Sequence, residues 1–454
     1  MDYSAQKQSH VVCIALPEQG HIKPMLKMAK ILHSKGLFVT YVNAKLYHKL
    51  ARVDAVDGLP GFKFETFPDG LPPLQNLIEK LNAANGIHKV TSIVLDGFMT
   101  FTADAAQLLG IPIVFLWPIA ACSFMAFYQF RNLVEKGLVP FKDESFLTNG
   151  SLDTAIDWIP GIPVMHLRDL PSFIRTTDPN DVMFNFIMKT IKRASDHGTG
   201  HILHTFDDLE HEVVNVISST FPNVYTIGPQ QLLLNQIPVS QKEELKGIGY
   251  SVWEEDRTCL QWLDSKEADS VIYVNFGSIT VLSPEQLAEF GWGLANSNRY
   301  FVWIIRPDLI VGESITNLGG EYMEAIKERG FISSWCPQEE VLNHIAVGGF
   351  LTHGGWNSIL ESLSAGVPML CWPFSVDHPT HCWYLCTELK CGMEIKNDVR
   401  RDDVEKLVRM LMDGEEGKKL KKNTMEYKKL AETACGPHGS STLNLDKLIL
   451  LLTN

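Results

Sequence analysis

Residues 335–378 read WCPQEEVLNHIAVGGFLTHGGWNSILESLSAGVPMLCWPFSVDH, and the fold turns on this stretch. A short apolar run, Gly348–Thr352, ends in His353-Gly354-Gly355-Trp356-Asn357-Ser358, and helical spacing continues through Asn357–Ala365. A strand entering a helix through two glycines presents unpaired backbone N–H groups and the positive end of the helix macrodipole, which together attract phosphate. His353 can donate to a phosphate oxygen, Asn357 and Ser358 can add hydrogen bonds, and the glycines let the backbone approach closely. The same pattern also describes a plain strand-to-helix turn capped by Asn or Ser. The neighbours shift the balance. Glu361 lies one helical turn after Ser358, placed to accept from ribose hydroxyls. Trp335 follows the apolar run Gly330–Ser334 and offers an indole face to a planar base. Asp377 and His378 follow Met369–Cys371, at the end where a sugar would sit. Plate, carboxylate, anion site and polar pair describe a pocket for a nucleotide sugar.

Outward from this stretch, short apolar runs alternate with amphipathic ones. Upstream, Val271–Phe276 and Tyr300–Ile305 read as strands, with helical patterns at Pro284–Asn296 and Pro337–His344. An earlier series begins with His10–Leu16, a helix over Pro24–Ser34 stopped by Gly36, and Phe38–Val42. It continues through Ile93–Leu95, a helix over Thr102–Leu109, Ile113–Leu116, His201–Thr205 and Tyr225–Ile227. Strands interleaved with helices predict parallel sheets covered on both faces. Residues 235–256 are polar without a clear period and read as a linker. The expected organisation is therefore a doubly wound α/β domain over 1–234, the linker, a second such domain over 257–430, and a helical tail over 431–454. That tail breaks at Gly436-Pro437 and restarts at Ser440 or Ser441. Two such sheets are expected to face a cleft, with ligands beyond the carboxyl ends of their strands.

Composition sets outer limits. The chain has 454 residues, 45% apolar and 20% charged, which suits globular domains and not disorder. A net charge of −13 argues against nucleic acid as a partner, because counterion displacement needs a basic face. The nine cysteines are odd in number and scattered, so they read as reduced thiols. Cys382, Cys386 and Cys391 lie near His378 and His381 without a tight C-x2-C pair, and buried thiols are the simpler reading than a metal site. The N-terminal residues lack the pattern of a secretory signal, and no long apolar window implies a membrane span. A cytoplasmic location is expected.

Residues 335–378 resemble the signature box of plant family 1 UDP-glycosyltransferases, and the likeness extends to QGHIKPMLKMAKIL, LDGF, HTFDDLE, VNFGSIT and GSSTLNLDKL. The nearest branch is the one that glucosylates small terpenoids. The resemblance implies the GT-B fold, two Rossmann-like domains with a C-terminal helix returning to the first, and an inverting enzyme that is a monomer. It implies a UDP-sugar as co-substrate, a small lipophilic acceptor, and neither metal nor other cofactor. Residue by residue, it implies that Trp335 stacks on uracil and the Cys336 backbone pairs with its edge. Gln338 and Glu361 hold the ribose; Ser278, His353, Asn357 and Ser358 hold the diphosphate; Trp356, Asp377 and His378 face the sugar. His21 falls on the catalytic base and Asp96 on its orienting partner. A neutral imidazole is chemically suited to take a hydroxyl proton, and a carboxylate on its other nitrogen fixes the tautomer. Phe98, Pro118, Phe124 and Phe184 are expected to line the acceptor pocket, although each aromatic is equally suited to plain core packing.

Three positions depart from the family pattern. Gly354 replaces a cysteine, His378 a glutamine and Pro118 a threonine. The last two touch the sugar, so UDP-glucose stands only slightly ahead of UDP-galactose or a UDP-pentose. Around Gly70-Leu71-Pro72-Pro73 the chain is also shorter than the family by on the order of twenty residues, through either a deleted surface helix or a mobile segment missing from this sequence. Two other readings compete: an inactive nucleotide-sugar sensor on the same fold, and a flavonoid or phenol glycosyltransferase. An NAD-type oxidoreductase is disfavoured, since no G-x-G-x-x-G opens a helix after His10–Leu16.

Overall fold

Strand β1 (His10–Ile14) is buried along its whole length, as a continuous apolar run must be when helices cover both faces of a parallel sheet. The computed structural model describes residues 9–45, 59–67, 74–84, 88–248, 253–309 and 318–453. Around β1 lie β2 (Phe38–Ala44), β3 (Phe62–Phe67), β4 (Val90–Asp96) and β5 (Ile113–Trp117). A two-stranded antiparallel hairpin, β6 (Ala155–Ile156) and β7 (Met165–His166), stands apart from this sheet. Strands β8 (Gly200–Leu203) and β9 (Val224–Thr226) complete the first sheet in the order β3-β2-β1-β4-β5-β8-β9, parallel throughout. The chain leaves β1 toward one edge and β4 toward the other. Their junction is the topological switch point, where connecting loops part and leave a crevice.

The second sheet repeats this logic. Strands β10 (Val271–Asn275), β11 (Tyr300–Ile304), β12 (Gly330–Ser333), β13 (Val347–Thr352), β14 (Met369–Cys371) and β15 (Gly392–Glu394) run parallel in the order β12-β11-β10-β13-β14-β15. Its switch point falls between β10 and β13. One compact unit comprises Met1–Leu167, Phe173–Val252 and Ala431–Asn454; the other comprises Arg168–Ser172 and Trp253–Leu430. The final helix, Ser440–Thr453, buries Leu445, Leu448 and Leu452 in the first unit's core, and Ser441 Oγ donates to the Gly228 carbonyl at 2.6 Å. Its amphipathic spacing is that of a docked helix.

Several elements differ from the sequence reading. The first helix spans Gln19–Ser34 and starts five residues before Pro24, so Gly20 and His21 lie in its first turn. Pro24 falls in the second turn, where it has no N–H to give the Gly20 carbonyl and its ring crowds that carbonyl. Residues 239–246, within the stretch read as a linker, form the helix Val239–Lys246; Ile237, Leu245 and Ile248 around it are buried in the first core. Three apolar anchors suffice to dock a polar segment whose own periodicity is weak. The short edge strands β3 and β15 and the helix Val182–His197 also went unread. The shortened loop near residue 70 lies outside the described residues, and the helix Leu74–Ala83 follows it.

HTFDDLE acquires a physical role in the first unit. The buried Glu210 carboxylate accepts from the backbone N–H of Ala121 at 2.9 Å and of Cys122 at 2.8 Å, capping the helix Ala121–Tyr128 from a remote part of the chain. Beside it, fully buried Trp117 donates Nε1–H to His201 Nδ1 at 3.2 Å. The neutral ring therefore carries its proton on Nε2, among Phe115, Phe124 and Phe221. Burial pushes the His201 pKa down to about 4. Because the unfolded chain takes up this proton near its ordinary value of 6.5, stability is complete above that pH and falls as pH drops toward 4. His201 is expected to withdraw about 2 kcal/mol from the first unit at roughly pH 5. Thermal melts at pH 7 and 5 check this. His201→Gln, whose amide oxygen can still accept from the indole, should show the smaller drop between them.

Candidate functional site

Each switch point carries one half of the predicted constellation. In the first unit, His21 follows β1 and Asp96 ends β4. His21 Nδ1 donates to Asp96 Oδ2 at 2.9 Å, and Asp96 Oδ1 accepts from the Phe98 backbone N–H at 3.0 Å. Asp96 is fully buried, whereas a fifth of the His21 side chain is exposed. With Nδ1 holding the proton, the ring's lone pair sits on Nε2. Phe98 packs its edge on His21, ring centroids 5.5 Å apart. Gly97 permits this, since any Cβ there would fall 2.4 Å from the Trp117 ring.

The aromatic residues proposed for an acceptor pocket divide. Phe98 is beside His21, and Pro118 is buried just after β5. Phe124 is wholly buried among Trp117, His201 and Phe221, and Phe184 stacks on Phe130 at 5.0 Å. Both are core residues with almost no surface to offer a ligand; their side chains point inward on helices whose apolar faces close the unit. A cavity of about 600 Å³ does open beside them, lined by Phe127, Tyr128 and Ile191 but also by Arg131, Lys189 and Lys192. Neither His21 nor Asp96 lines it.

In the second unit, the turns after β10 and β13 meet around His353. A Cβ on Gly277 would lie 2.5 Å from its imidazole and one on Gly355 2.6 Å, while Gly354 adopts φ +86°. Only glycine fits these three places. The helix Trp356–Ala365 has Gly355 as its cap residue and no side-chain cap, so Asn357 and Ser358 lie within its first turn and do not close it. This is the arrangement of an open anion site. Ser278 lies in the facing turn, which buried Arg306 braces by donating to the carbonyls of Gly277, at 3.0 Å, and of Thr280. Burial, with the positive potential of His378 and Arg306 beside it, holds the His353 pKa well below the ordinary value, and the ring is neutral.

The nucleoside residues share one buried network. Gln338 Nε2 donates to Ser358 Oγ at 3.0 Å and to Glu361 Oε2 at 2.7 Å. Its Oε1 accepts from Tyr273 Oη at 3.1 Å and Asn275 Nδ2 at 2.8 Å. Asn275 Nδ2 also donates to Tyr273 Oη at 2.8 Å, and Asn275 Oδ1 accepts from the Gly277 backbone N–H at 2.9 Å. Gln338 thus engages all four of its hydrogen-bonding positions within the protein and aims Glu361. Trp335 and Cys336 are buried just after β12, and Cys336 Sγ lies 3.2 Å from Tyr273 Oη.

At the sugar end, His378 Nδ1 accepts from the Ser375 backbone N–H at 3.4 Å, which leaves a donor on Nε2. Burial pushes the His378 pKa down to about 4. His381 Nε2 lies 3.2 Å from Asp377 Oδ2, and His381 Nδ1 donates to the Gly354 carbonyl at 2.9 Å. Burial raises the Asp377 carboxyl, but the charge and hydrogen bond of His381 outweigh it and hold the pKa below the ordinary value. Trp356 packs against His381 with rings 5.3 Å apart. Tyr273, Asn275 and Arg306 escaped the sequence reading, which met His381 only as a neighbour of the cysteine cluster. The signal was there for two of them: a polar residue closing the buried run VIYVN, and a cation following YFVWII. Among the described residues, no group of three or more His, Cys, Asp or Glu stands where it could hold a metal ion, and no helix is long and apolar enough to cross a membrane.

Two Rossmann-like sheets, with a glycine-lined anion cradle, an indole plate and a ribose-height carboxylate at one switch point, define a nucleotide-sugar-dependent glycosyltransferase. The chain belongs to the UDP-glucoronosyl and UDP-glucosyl transferase family, whose model matches residues 175–433. It is 49% identical to (R)-mandelonitrile beta-glucosyltransferase of Prunus dulcis, over 98% of this chain and 97% of that one. It is 47% identical to 7-deoxyloganetin glucosyltransferase of Gardenia jasminoides, over 99% and 98%. The alignment with the Prunus protein spans 473 positions against 454 residues here, so that protein has residues without counterpart in this chain. Among solved structures, a Polygonum tinctorium UDP-glucosyltransferase capable of glucosylating indoxyl superposes with TM-score 0.82 at 26% identity, covering 99% of this chain and all of that one. UGT2 of Phytolacca americana, complexed with UDP-2-fluoro-glucose and pterostilbene, gives TM-score 0.79 at 25% identity, covering 98% and 100%. The fold is GT-B, and the enzyme is a UDP-glycosyltransferase.

Because the polarity of the buried network is set by Asn275, reversing it should be felt at the nucleotide. In Asn275→Asp the carboxylate cannot donate, Gln338 must turn its amide, and Oε1 then faces the Glu361 carboxylate. UDP affinity is expected to fall about ten-fold by calorimetry, the cost of one lost charge-assisted hydrogen bond. Asn275→Ala, which removes the donor without adding charge, should cost less.

Proposed function

We propose that this enzyme transfers glucose from UDP-glucose, with inversion, to a hydroxyl or carboxyl of a small lipophilic plant metabolite of terpenoid type. The observation that carries the reading is the His21–Asp96 pair: a part-exposed imidazole whose tautomer is set by a fully buried carboxylate. His21 Nε2 takes the acceptor's proton as its oxygen attacks the anomeric carbon. The C1–oxygen bond to UDP breaks, and the diphosphate leaves against the Trp356 helix N-terminus and its glycine turns. Attack opposite the leaving group turns an α-linked donor into a β-glycoside. The residues that hold the donor are Trp335, Cys336, Ser278, His353, Asn357, Ser358 and Glu361, with Trp356, Asp377 and His378 toward the sugar and Gln338 as the support of Glu361. A helix terminus and buried Arg306 supply the positive potential, so the chemistry needs no metal or other cofactor.

Glucose is favoured over galactose or a pentose because the relatives reported above are named glucosyltransferases, one for (R)-mandelonitrile and one for 7-deoxyloganetin. His378 contributes a single donor, which suits one sugar hydroxyl without selecting among hexoses. For the acceptor, the part of the first unit around Phe98 and Pro118 is the proposed wall; Phe124 and Phe184 are not. The protein is proposed to act as a cytoplasmic monomer.

His21→Ala is expected to abolish transfer while UDP affinity stays within two-fold, since base and nucleotide residues lie on different units. Asp96→Asn should lower kcat by about one to three orders of magnitude through loss of tautomer control. Mass spectrometry of acceptor glucosides alongside calorimetry with UDP measures both. Wild-type enzyme that binds UDP-glucose but glucosylates no terpenoid or phenol would favour the sensor reading. A second expectation concerns the donor: His378→Gln should change the kcat/KM ratio of UDP-glucose to UDP-galactose by less than about three-fold, read by direct competition.

A further inference from the structure

Val376 has φ +59°, a conformation costly for a β-branched residue, and it immediately precedes Asp377 and His378. It is held there by a residue 204 positions earlier in the sequence. Val376 N–H donates to Ser172 Oγ at 2.8 Å, and Ser172 N–H donates to the Val376 carbonyl at 2.6 Å. One helical turn further on, Thr380 Oγ1 donates to the Asp169 carbonyl at 2.7 Å. These three bonds explain why Arg168–Ser172 belongs to the second unit although the chain on both sides of it belongs to the first. Once Val376 is fixed, the next residues have little choice. His378 N–H donates to the Ser375 carbonyl at 3.1 Å and His381 N–H to the Asp377 carbonyl at 3.1 Å, opening the helix His378–Trp383.

We infer that Ser172 is a positioning residue for the donor sugar: its backbone and hydroxyl clamp Val376 in the left-handed conformation and so aim Asp377 and His378. The inference rests on the reading that Asp377 and His378 face the sugar. The bonds of the clamp itself, Ser172 to Val376 and Thr380 to Asp169, involve none of the residues assigned to uracil, ribose or diphosphate. Its loss is therefore felt by UDP-glucose and not by UDP. The strain at Val376 also makes the clamp separable from simple folding. Glycine reaches positive φ without steric cost, so a chain with glycine at 376 no longer needs Ser172 to hold it there.

The experiment is a double-mutant cycle on the full-length enzyme, read as KM and kcat for UDP-glucose and as Kd for UDP. Ser172→Ala is expected to raise KM for UDP-glucose about ten-fold and leave Kd for UDP within two-fold, which also certifies that the nucleotide site is folded. Ser172→Thr keeps the hydroxyl and should stay near wild type. Val376→Gly alone should also stay near wild type, and Ser172→Ala/Val376→Gly should recover most of the lost KM. An unchanged KM in Ser172→Ala, an equal loss of UDP affinity, or a double variant no better than Ser172→Ala would each overturn the inference. Asp377→Asn separates the underlying reading: if it leaves KM for UDP-glucose unchanged, the sugar assignment fails, whereas a raised KM there with an inert Ser172→Ala rejects the clamp alone.

Discussion

A parallel sheet covered by helices on both faces satisfies its backbone everywhere except at its ends, and everything functional in this chain follows from that constraint. At a switch point the two flanking connections depart in opposite directions, so neither can fold over the strand ends and close them. The junction of β1 and β4 receives His21 and Asp96; the junction of β10 and β13 receives the glycine turns, His353 and the open end of the Trp356 helix. Chemistry sits where the architecture leaves polar groups accessible and cannot sit anywhere else along these strands.

The second constraint is that polar groups brought into such a crevice must be paired in the absence of ligand. The protein meets it by chaining them. Tyr273 and Asn275 reach out of β10 to orient Gln338, which orients Glu361 and Ser358. His381 links the Asp377 carboxylate to the Gly354 carbonyl, joining the sugar end to the phosphate turn. The polar side chains at the ends of the second sheet thus hold one another, and two of them, Tyr273 and Asn275, come from a strand whose sequence pattern reads only as core.

The aromatic residues of the first unit show the limit of reading side chains one at a time. Phe98 and Phe124 have the same chemistry and lie within 26 positions of each other, yet one packs its edge on the His21 imidazole and the other vanishes into a cluster with Trp117 and His201. Helix Ala121–Tyr128 is apolar on nearly every face, so its pattern does not say which face is turned toward a ligand. The polar helix Val239–Lys246 fails in the opposite sense: its periodicity is too weak to announce a helix that a few buried neighbours hold in place.

By itself the sequence determined the two parallel sheets, the strand-to-helix anion turn, the nucleotide-sugar box and the His21–Asp96 pairing of residues. The sheets and the anion turn are carried by local spacing, in continuous apolar runs and glycines where the backbone must turn; the His21–Asp96 pairing was carried by the family resemblance alone. Only the tertiary structure decided that Gln338 supports Glu361, that Arg306 braces the Ser278 turn, and that residues 168–172 leave one unit to hold Val376 in the other. The reason is physical. A hydrogen bond between residues 29, 63 or 204 positions apart leaves no periodicity in either segment, and its partner is chosen by what the fold brings together.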